Sequence, residues 1–341
     1  MRFAHIADTH IRNLKYHYEY NEVFNQLYES LKNENVDYII HCGDIAHTKT
    51  QISPEFVEMC SKFLTNLANI APTYVILGNH DGNLKNASRQ DAITPIAEAL
   101  NNPNLYLLKD AQEVDICDSY TLNVLSVFDE ENWVKPSDTN KINIALYHGA
   151  IDKSKTDLNW TLKGDHDISV FDDFDFAFLG DIHKTQILDH QGRIRYAGST
   201  VQQNFGESLD KGYLLWDIKG KDDFTCKLLT FDNPIPFITI NLNPDGTLPK
   251  KIFAPQGSRV RIVSETNIPL HRMRRVVDLV KHKYKPTTVT YMNKSANKSG
   301  SVDVSTVSTN EDLRDPFIQQ KLIKDYLKDY VESGKKFLPT V

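Results

Sequence analysis

The chain has 341 residues, 40% of them hydrophobic and 25% charged, with 45 acidic against 39 basic residues and a formal net charge of −6. This fits about two globular domains with sizeable cores. It excludes a surface that is basic throughout, though not a local basic patch. No apolar run reaches the ~18 residues of a membrane-spanning helix. The opening MRFAHIADTH lacks the basic-then-apolar layout of a secretory signal. Cys42, Cys60, Cys117 and Cys226 are scattered, with no C-x-x-C pair. These features lead us to expect a cytoplasmic protein whose cysteines are mostly core residues rather than metal ligands.

In chain order, strand patterns at Phe3–Ala7, Tyr38–Cys42 and Tyr74–Leu77 alternate with helical patterns at Glu22–Asn33 and Pro54–Ala68. Strands then dominate: Leu105–Leu108, Thr121–Val127, Ile142–Tyr147, Phe176–Leu179, Gly212–Ile218 and Phe224–Leu229. The period-two run Phe174, Phe176, Phe178 reads as strand core rather than a base-stacking platform. The expected architecture is α/β, with sheets flanked by helices. Asn233-Pro234-Ile235-Pro236 marks a boundary. A smaller α/β unit follows, with strands at Arg259–Val263 and Thr288–Tyr291 around a helix at Leu270–His282. Residues 293–312 have a polar, linker-like composition. Asp315 and Pro316 then suit the start of a final helix, and Gly334 suits its stop.

Chemistry-bearing residues follow the strands. Asp8-Thr9-His10 follows the first, Gly43-Asp44 the second and Gly78-Asn79-His80-Asp81 the third, at intervals of 36 and 35 residues from Asp8 to Asp44 to Asn79. Each interval fits one βαβ unit, and strand ends of an open α/β sheet share one rim. On extended backbone, residues two apart project the same way, so Asp8 and His10 can reach one ion. His148-Gly149 and Gly180-Asp181-Ile182-His183 end two later strands. A lone D-x-H or Gly-Asp is an ordinary turn. The full set D-x-H, GD, GNHD, HG and GD-x-H is not.

This set resembles the calcineurin-like metallophosphoesterases, and within them the SbcD-type nuclease subunits, especially the phage recombination exonuclease branch. The resemblance covers nearly the whole chain, including Asp44-Ile45-Ala46-His47 and Tyr196-Ala197-Gly198-Ser199-Thr200. It implies a four-layer sandwich of two mixed sheets with outer helices. It divides the chain into a nuclease domain (1–233), a small α/β capping domain that binds DNA (234–292), a linker (293–312) and a C-terminal helix (313–341). It also implies two divalent ions, manganese with magnesium as the alternative. One ion would take Asp8, His10, Asp44 and His183, the other Asp44, Asn79, His148 and Asp181, with Asp44 bridging. His80 matches a histidine that is not a ligand and serves the leaving oxygen or the transition state. His47 matches a second histidine near the DNA. The implied partners are DNA, an SbcC-like ABC-type ATPase and a second copy within the complex. The last motif usually reads Gly-His-x-His; Asp181 replaces its first His and leaves the second metal's identity open.

Other segments carry two readings each. His271–Lys285 holds Arg272, Arg274, Arg275, Lys281, Lys283 and Lys285 against Asp278 alone. It is either a solvated helix face or a patch for DNA phosphates. In the tail, Phe317/Ile318, Leu322/Ile323, Tyr326/Leu327 and Tyr330/Val331 form an apolar stripe. That stripe either folds back on its own domain or docks on the ATPase. His5 and His41 are expected to be structural; His17, His166 and His190 are expected in surface or loop positions. The expected activity is a metal-dependent DNA exonuclease and endonuclease. The alternatives are a phosphoesterase acting on small-molecule or protein phosphates, and a non-catalytic scaffold for the ATPase.

Overall fold

The computed structural model describes residues 1–49, 52–86 and 89–295. Its first unit, Met1–Phe237, contains β1 (Arg2–Ile6), α1 (His17–Asn33), β2 (Tyr38–Cys42), α2 (Pro54–Ile70), β3 (Thr73–Ile76), α3 (Thr94–Leu100), β4 (Leu105–Leu108), β5 (Gln112–Cys117), β6 (Tyr120–Leu125), β7 (Ile142–His148), β8 (Phe176–Gly180), β9 (Gln186–Ile187), β10 (Ile194–Tyr196), β11 (Gly212–Ile218) and β12 (Phe224–Thr230). They form two mixed six-stranded sheets, ordered β12-β11-β1-β2-β3-β4 and β5-β6-β7-β8-β10-β9. Strands β1 to β4 run parallel, as do β6, β7 and β8. The carboxyl ends of β1, β2 and β3 therefore share one rim.

Side-chain alternation decides the layering. On β1, Ala4 and Ile6 pack with α1 and α2, against Val23, Leu27, Phe63 and Leu67. Phe3 faces the second sheet and meets Leu122, Phe176 and Phe178. His5 lies on that same inner face, stacked on Phe178 with ring centroids 4.7 Å apart and bonded to Leu179 O at 3.1 Å. Phe176 and Phe178 are core, as the alternation suggested. Phe174 precedes the strand and packs in a different cluster.

The outer face of the second sheet is covered as well. Tyr147, Ala177 and Leu179 are covered by Ile151, Phe171 and Ile182, which belong to loops and the short 3-10 helix Ile168–Phe171. Helix α1 begins at His17, five residues before the apolar periodicity does. Its first turn buries His17 and Glu19, which no hydropathy pattern marks. His17 is thus not a surface residue; its Nε2 lies 2.9 Å from Arg12 O, to which it donates.

The second unit begins at Ile238. Here β13 (Phe237–Asn241), β14 (Arg259–Ser264) and β15 (Thr288–Asn293) form a three-stranded sheet, and α4 (Leu270–Tyr284) crosses between the parallel β14 and β15. Met273, Val276 and Val280 of α4 are buried with Ile238, Ile240, Val260 and Ile262. Arg272, Arg274, Arg275, Lys281 and Lys283 are exposed. The final helix and nearly all of the linker expected from sequence lie outside the described residues. Among the described residues, no helix is long and apolar enough to cross a membrane.

Candidate metal centre

Asp8 and His10 follow β1, Asp44 follows β2, Asn79 follows β3, His148 ends β7, and Asp181 and His183 follow β8. All seven converge. His10 Nε2 lies 3.5 Å from Asp44 Oδ2 and 2.9 Å from His183 Nε2. His148 Nε2 lies 3.4 Å from Asp44 Oδ1 and 3.8 Å from Asp181 Oδ1. Asn79 Nδ2 donates to Asp181 Oδ1 at 3.1 Å. Asp8 accepts from Asp181 N at 2.9 Å. Asp44 stands between the two groups. Potential ligand atoms of Asp8, His10 and His183 lie within 4.8 Å of one another, as do those of Asp8, Asp44 and His148.

The backbone that achieves this is not extended, contrary to the sequence argument for D-x-H. Asp8, His10, Asp44 and Asp181 have φ of 51°, 47°, 59° and 95°. Positive φ is sparsely populated by residues with a Cβ, and such strain collects at functional sites. Hydrogen bonds hold the kinks: Asp8 N donates to Gly43 O, His10 N to Asp44 O and Ile11 N to Ile45 O, at 2.8–3.1 Å. The motif glycines leave no room for a side chain. A Cβ on Gly78 would stand 2.2 Å from Asp44 Oδ1, and one on Gly180 2.0 Å from Cys42 O.

Neighbours fix the imidazoles. His148 Nδ1 lies 2.7 Å from Cys42 O, which can only accept, so Nδ1 keeps a proton and Nε2 is the nitrogen that a cation would take. His183 Nδ1 donates to Glu207 Oε1 at 2.8 Å, an arrangement that makes Nε2 a better donor to a cation. Lys211 supports Glu207, with Nζ 3.3 Å from Oε2, and donates to His183 O at 2.8 Å. Asp81 accepts from Asp44 N, Gly78 N and Ala46 N at 2.8–2.9 Å and so clamps the Asp44 loop to the β3 turn.

Burial and mutual repulsion set the charges. Burial pushes the Asp8 carboxyl up to about 7. Burial and the neighbouring Asp44 do the same to Asp81, only partly offset by its backbone donors. At Asp44 burial works against ionisation, but His148, His10 and His80 outweigh it and hold the carboxyl below the usual range. His148 moves the other way: Asp44, Asp8 and Asp181 overcome burial and raise it well above the ordinary imidazole value. Burial keeps His10 neutral. The cluster therefore neutralises itself with protons, which a bound cation must displace.

The residues fit a pair of divalent ions. The donors are carboxylate, amide oxygen and imidazole without thiolate, a set suited to manganese or magnesium. Asn79 Oδ1 is buried with no hydrogen-bond partner, a costly state that cation binding would relieve.

His80 sits at the exposed rim, its N–H donating to Asp44 Oδ1 at 2.8 Å. Its Nδ1 donates to His47 O at 2.7 Å. The His47 ring lies 5.8 Å from His10 and 6.3 Å from His80, and burial pushes it down to about 4. A His80 nitrogen also lies within 4.8 Å of ligand atoms of His10 and Asp44. His5 bonds to Leu179 O and His41 to Thr9 Oγ1 at 2.8 Å; burial pushes each down to about 3.

Residues 1–185 match the calcineurin-like phosphoesterases. The chain belongs to this family. It is 36% identical over 277 residues to an uncharacterised protein of Acanthamoeba polyphaga mimivirus, across 76% of this chain and 20% of that protein. It is 26% identical over 217 residues to protein 244L of Invertebrate iridescent virus 6, across 57% of this chain and 68% of that one. It is 22% identical over 234 residues to the DNA double-strand break repair protein Mre11 of Archaeoglobus fulgidus, across 61% of this chain and 52% of that one. The chain thus spans one fifth of the mimivirus protein and about half of the archaeal one. The buried carboxylate and imidazole clusters of this family member are consistent with a dimetal phosphoesterase centre.

The sequence reading missed Glu207, Lys211 and the clamping role of Asp81. Asp81 had a visible signal, since it closes the Gly78–Asp81 turn with its N–H bonded to Gly78 O at 3.0 Å. Glu207 lies 24 residues beyond His183 in a loop with no local pattern.

Proposed function

We propose that this phosphoesterase cuts DNA, as a two-metal exonuclease and endonuclease subunit that acts with an SbcC-like ATPase in recombination, repair or phage DNA processing. The convergence of seven donors, with Asp44 among them between the two groups, carries the hydrolytic part. DNA as substrate draws support from the similarity to an archaeal break-repair protein and from the exposed cations of α4, which suit phosphate contacts.

Asp8, His10, Asp44 and His183 would hold one ion and Asp44, Asn79, His148 and Asp181 the other. Such a pair supplies a nucleophilic hydroxide and neutralises phosphate charge. The chain's own residues do the rest. Glu207 and Cys42 O keep His183 and His148 in the tautomer that offers Nε2. Asp81 keeps the Asp44 loop in place. His80, its Nδ1 proton held by His47 O, offers Nε2 to hold or give a proton at the leaving oxygen.

The decisive experiment incubates the purified chain with manganese and either linear duplex or circular single-stranded DNA, with Asp44→Ala as control. Cleavage by the wild type alone is expected. Hydrolysis of p-nitrophenyl phosphate without DNA cleavage would assign the fold to a small-molecule substrate instead. The ATPase proposal rests on the apolar stripe of the tail. Deleting residues 311–341 should abolish co-purification with the ATPase and leave single-strand cleavage intact; undiminished binding would reject it.

A further inference from the structure

The chain has three tryptophans. Trp216 is fully buried, and Trp133 donates its indole N–H to Ser126 O at 2.8 Å and packs edge-on against Tyr147. Trp160 is 69% exposed, and the nearby Leu158 is 55% exposed. Both line a cavity of about 420 Å³ whose wall also includes Asp181, Ile182 and His183. An apolar cavity of this size takes a small ligand, and this one is continuous with the candidate metal centre.

The segment that presents Trp160 is rigidly tied. Lys155 and Thr161 pair as an antiparallel bridge. Asn159 N donates to Thr156 O, Thr156 N to Trp160 O and Leu162 N to Ser154 O, at 2.8–3.0 Å. Asn159 takes the left-handed conformation the turn requires, with φ of 60°. Beneath the tip, Asp157 accepts from Ser208 N at 3.1 Å and pairs with Lys211 at 3.2 Å, both side chains almost wholly buried. Lys211 is the residue that braces Glu207 and His183. An exposed indole is thus held by a buried ion pair to the network that orients a candidate metal ligand. Solvent exposure of two large apolar side chains on so fixed a hairpin has no structural benefit in the unbound chain.

We infer that this pocket receives the base of a nucleotide flanking the scissile phosphate, stacked on Trp160, and that it does not read the base's identity. The inference rests on the phosphodiesterase reading above. What adjoins a phosphate held at Asp181 and His183 is the phosphate's own substituent, and a flat apolar group one sugar away is a base. Polar side chains of the wall are tied to the chain itself, and Thr156 Oγ1 accepts from Trp160 N at 3.3 Å. Asn204 donates to Glu207 Oε1 and accepts from Gly206 N, at 2.9 and 2.7 Å, and both Asp157 oxygens are taken. Recognition therefore uses the face of the base rather than its edge, which every base offers.

The test compares wild type, Trp160→Ala and Trp160→Phe on single-stranded oligonucleotides with manganese, including oligonucleotides that carry one abasic residue at successive positions. Trp160→Ala should lower kcat/KM at least about 5-fold, the lower end for a lost base stack, and Trp160→Phe should recover most of it. An abasic residue at one position beside the cut should cost the wild type a similar factor and cost Trp160→Ala nothing more. Binding is read separately, as quenching of tryptophan fluorescence by oligothymidylate with magnesium, which should vanish in Trp160→Phe. Binding without quenching, or equal cleavage by wild type and Trp160→Ala, overturns the pocket and leaves the nuclease reading standing. Quenching at Trp160 without any cleavage upholds the pocket and rejects the nuclease reading. Neither binding nor cleavage rejects both.

Discussion

Glu207→Gln removes one charge from a side chain that is 5% exposed. Every partner of the Glu207 carboxylate is a donor: His183 Nδ1 at 2.8 Å and Asn204 Nδ2 at 2.9 Å on Oε1, Gln203 N at 2.9 Å and Ser199 Oγ at 3.4 Å on Oε2, with Lys211 Nζ at 3.3 Å. A glutamine amide must turn its NH₂ toward one of these donor groups, and Lys211 keeps Asp157 as its one carboxylate partner beside the His183 carbonyl. Burial opposes ionisation of Glu207, but His183 and Lys211 overcome it and lower the carboxyl from 4.5 to about 2. At about 1.4 kcal/mol per pH unit, that difference corresponds to about 3 kcal/mol, the lower end of the cost of breaking a buried pair. Because the folded value is depressed, this stabilisation is present above pH 4.5 and fades as pH falls toward 2; the comparison belongs at pH 7. For a unit of this size the loss corresponds to a Tm lower by about 6–12 °C, measured in EDTA so that metal binding does not contribute. Manganese affinity, measured by calorimetry, should fall about 10- to 100-fold, as for other residues that orient a ligand. A Tm within about 2 °C of wild type would refute the electrostatic argument. An unchanged manganese Kd would refute the role of Glu207 in orienting His183.

Three further outcomes are expected. His80→Ala should lower turnover about 10²- to 10⁴-fold with manganese content near wild type; loss of metal on elemental analysis would make His80 a ligand, a role its distance to His10 and Asp44 allows. Asp181→His removes an anionic oxygen donor and should retain activity while shifting preference from magnesium toward manganese, and an identical metal profile would place Asp181 outside the coordination sphere. His5 is neutral in the fold, pushed by burial from 6.5 down to about 3, so it takes up a proton on unfolding and stability is lost as pH falls from 6.5 toward 3. His5→Phe should flatten that limb by about 1.4 kcal/mol per pH unit, and parallel stability curves for the two proteins would contradict a buried neutral His5.

Helices α1 and α2 and most long strands were legible in the sequence because hydrophobic period follows from which face is buried. Where burial is partial or polar, the pattern fails: β5 is half exposed along its length, α3 spans only seven residues, and the first turn of α1 buries His17 and Glu19. The seven candidate ligands were legible because each sits at a strand end beside a glycine or a second ligand, and parallel strands bring such ends to one rim. How they converge was not. The left-handed Asp8, His10 and Asp44 depend on bonds to another strand's loop, and the glycines are required by backbone and side chains that approach from β2 and β7. Glu207, Lys211 and Trp160 carry no local signature, since each acts across a sequence gap that only the fold closes. Asp157 meets Lys211 across 54 residues, and His183 meets Glu207 across 24. Local sequence determines which donors a strand end offers; long-range hydrogen bonds decide their tautomers, their charges and the surface set beside them.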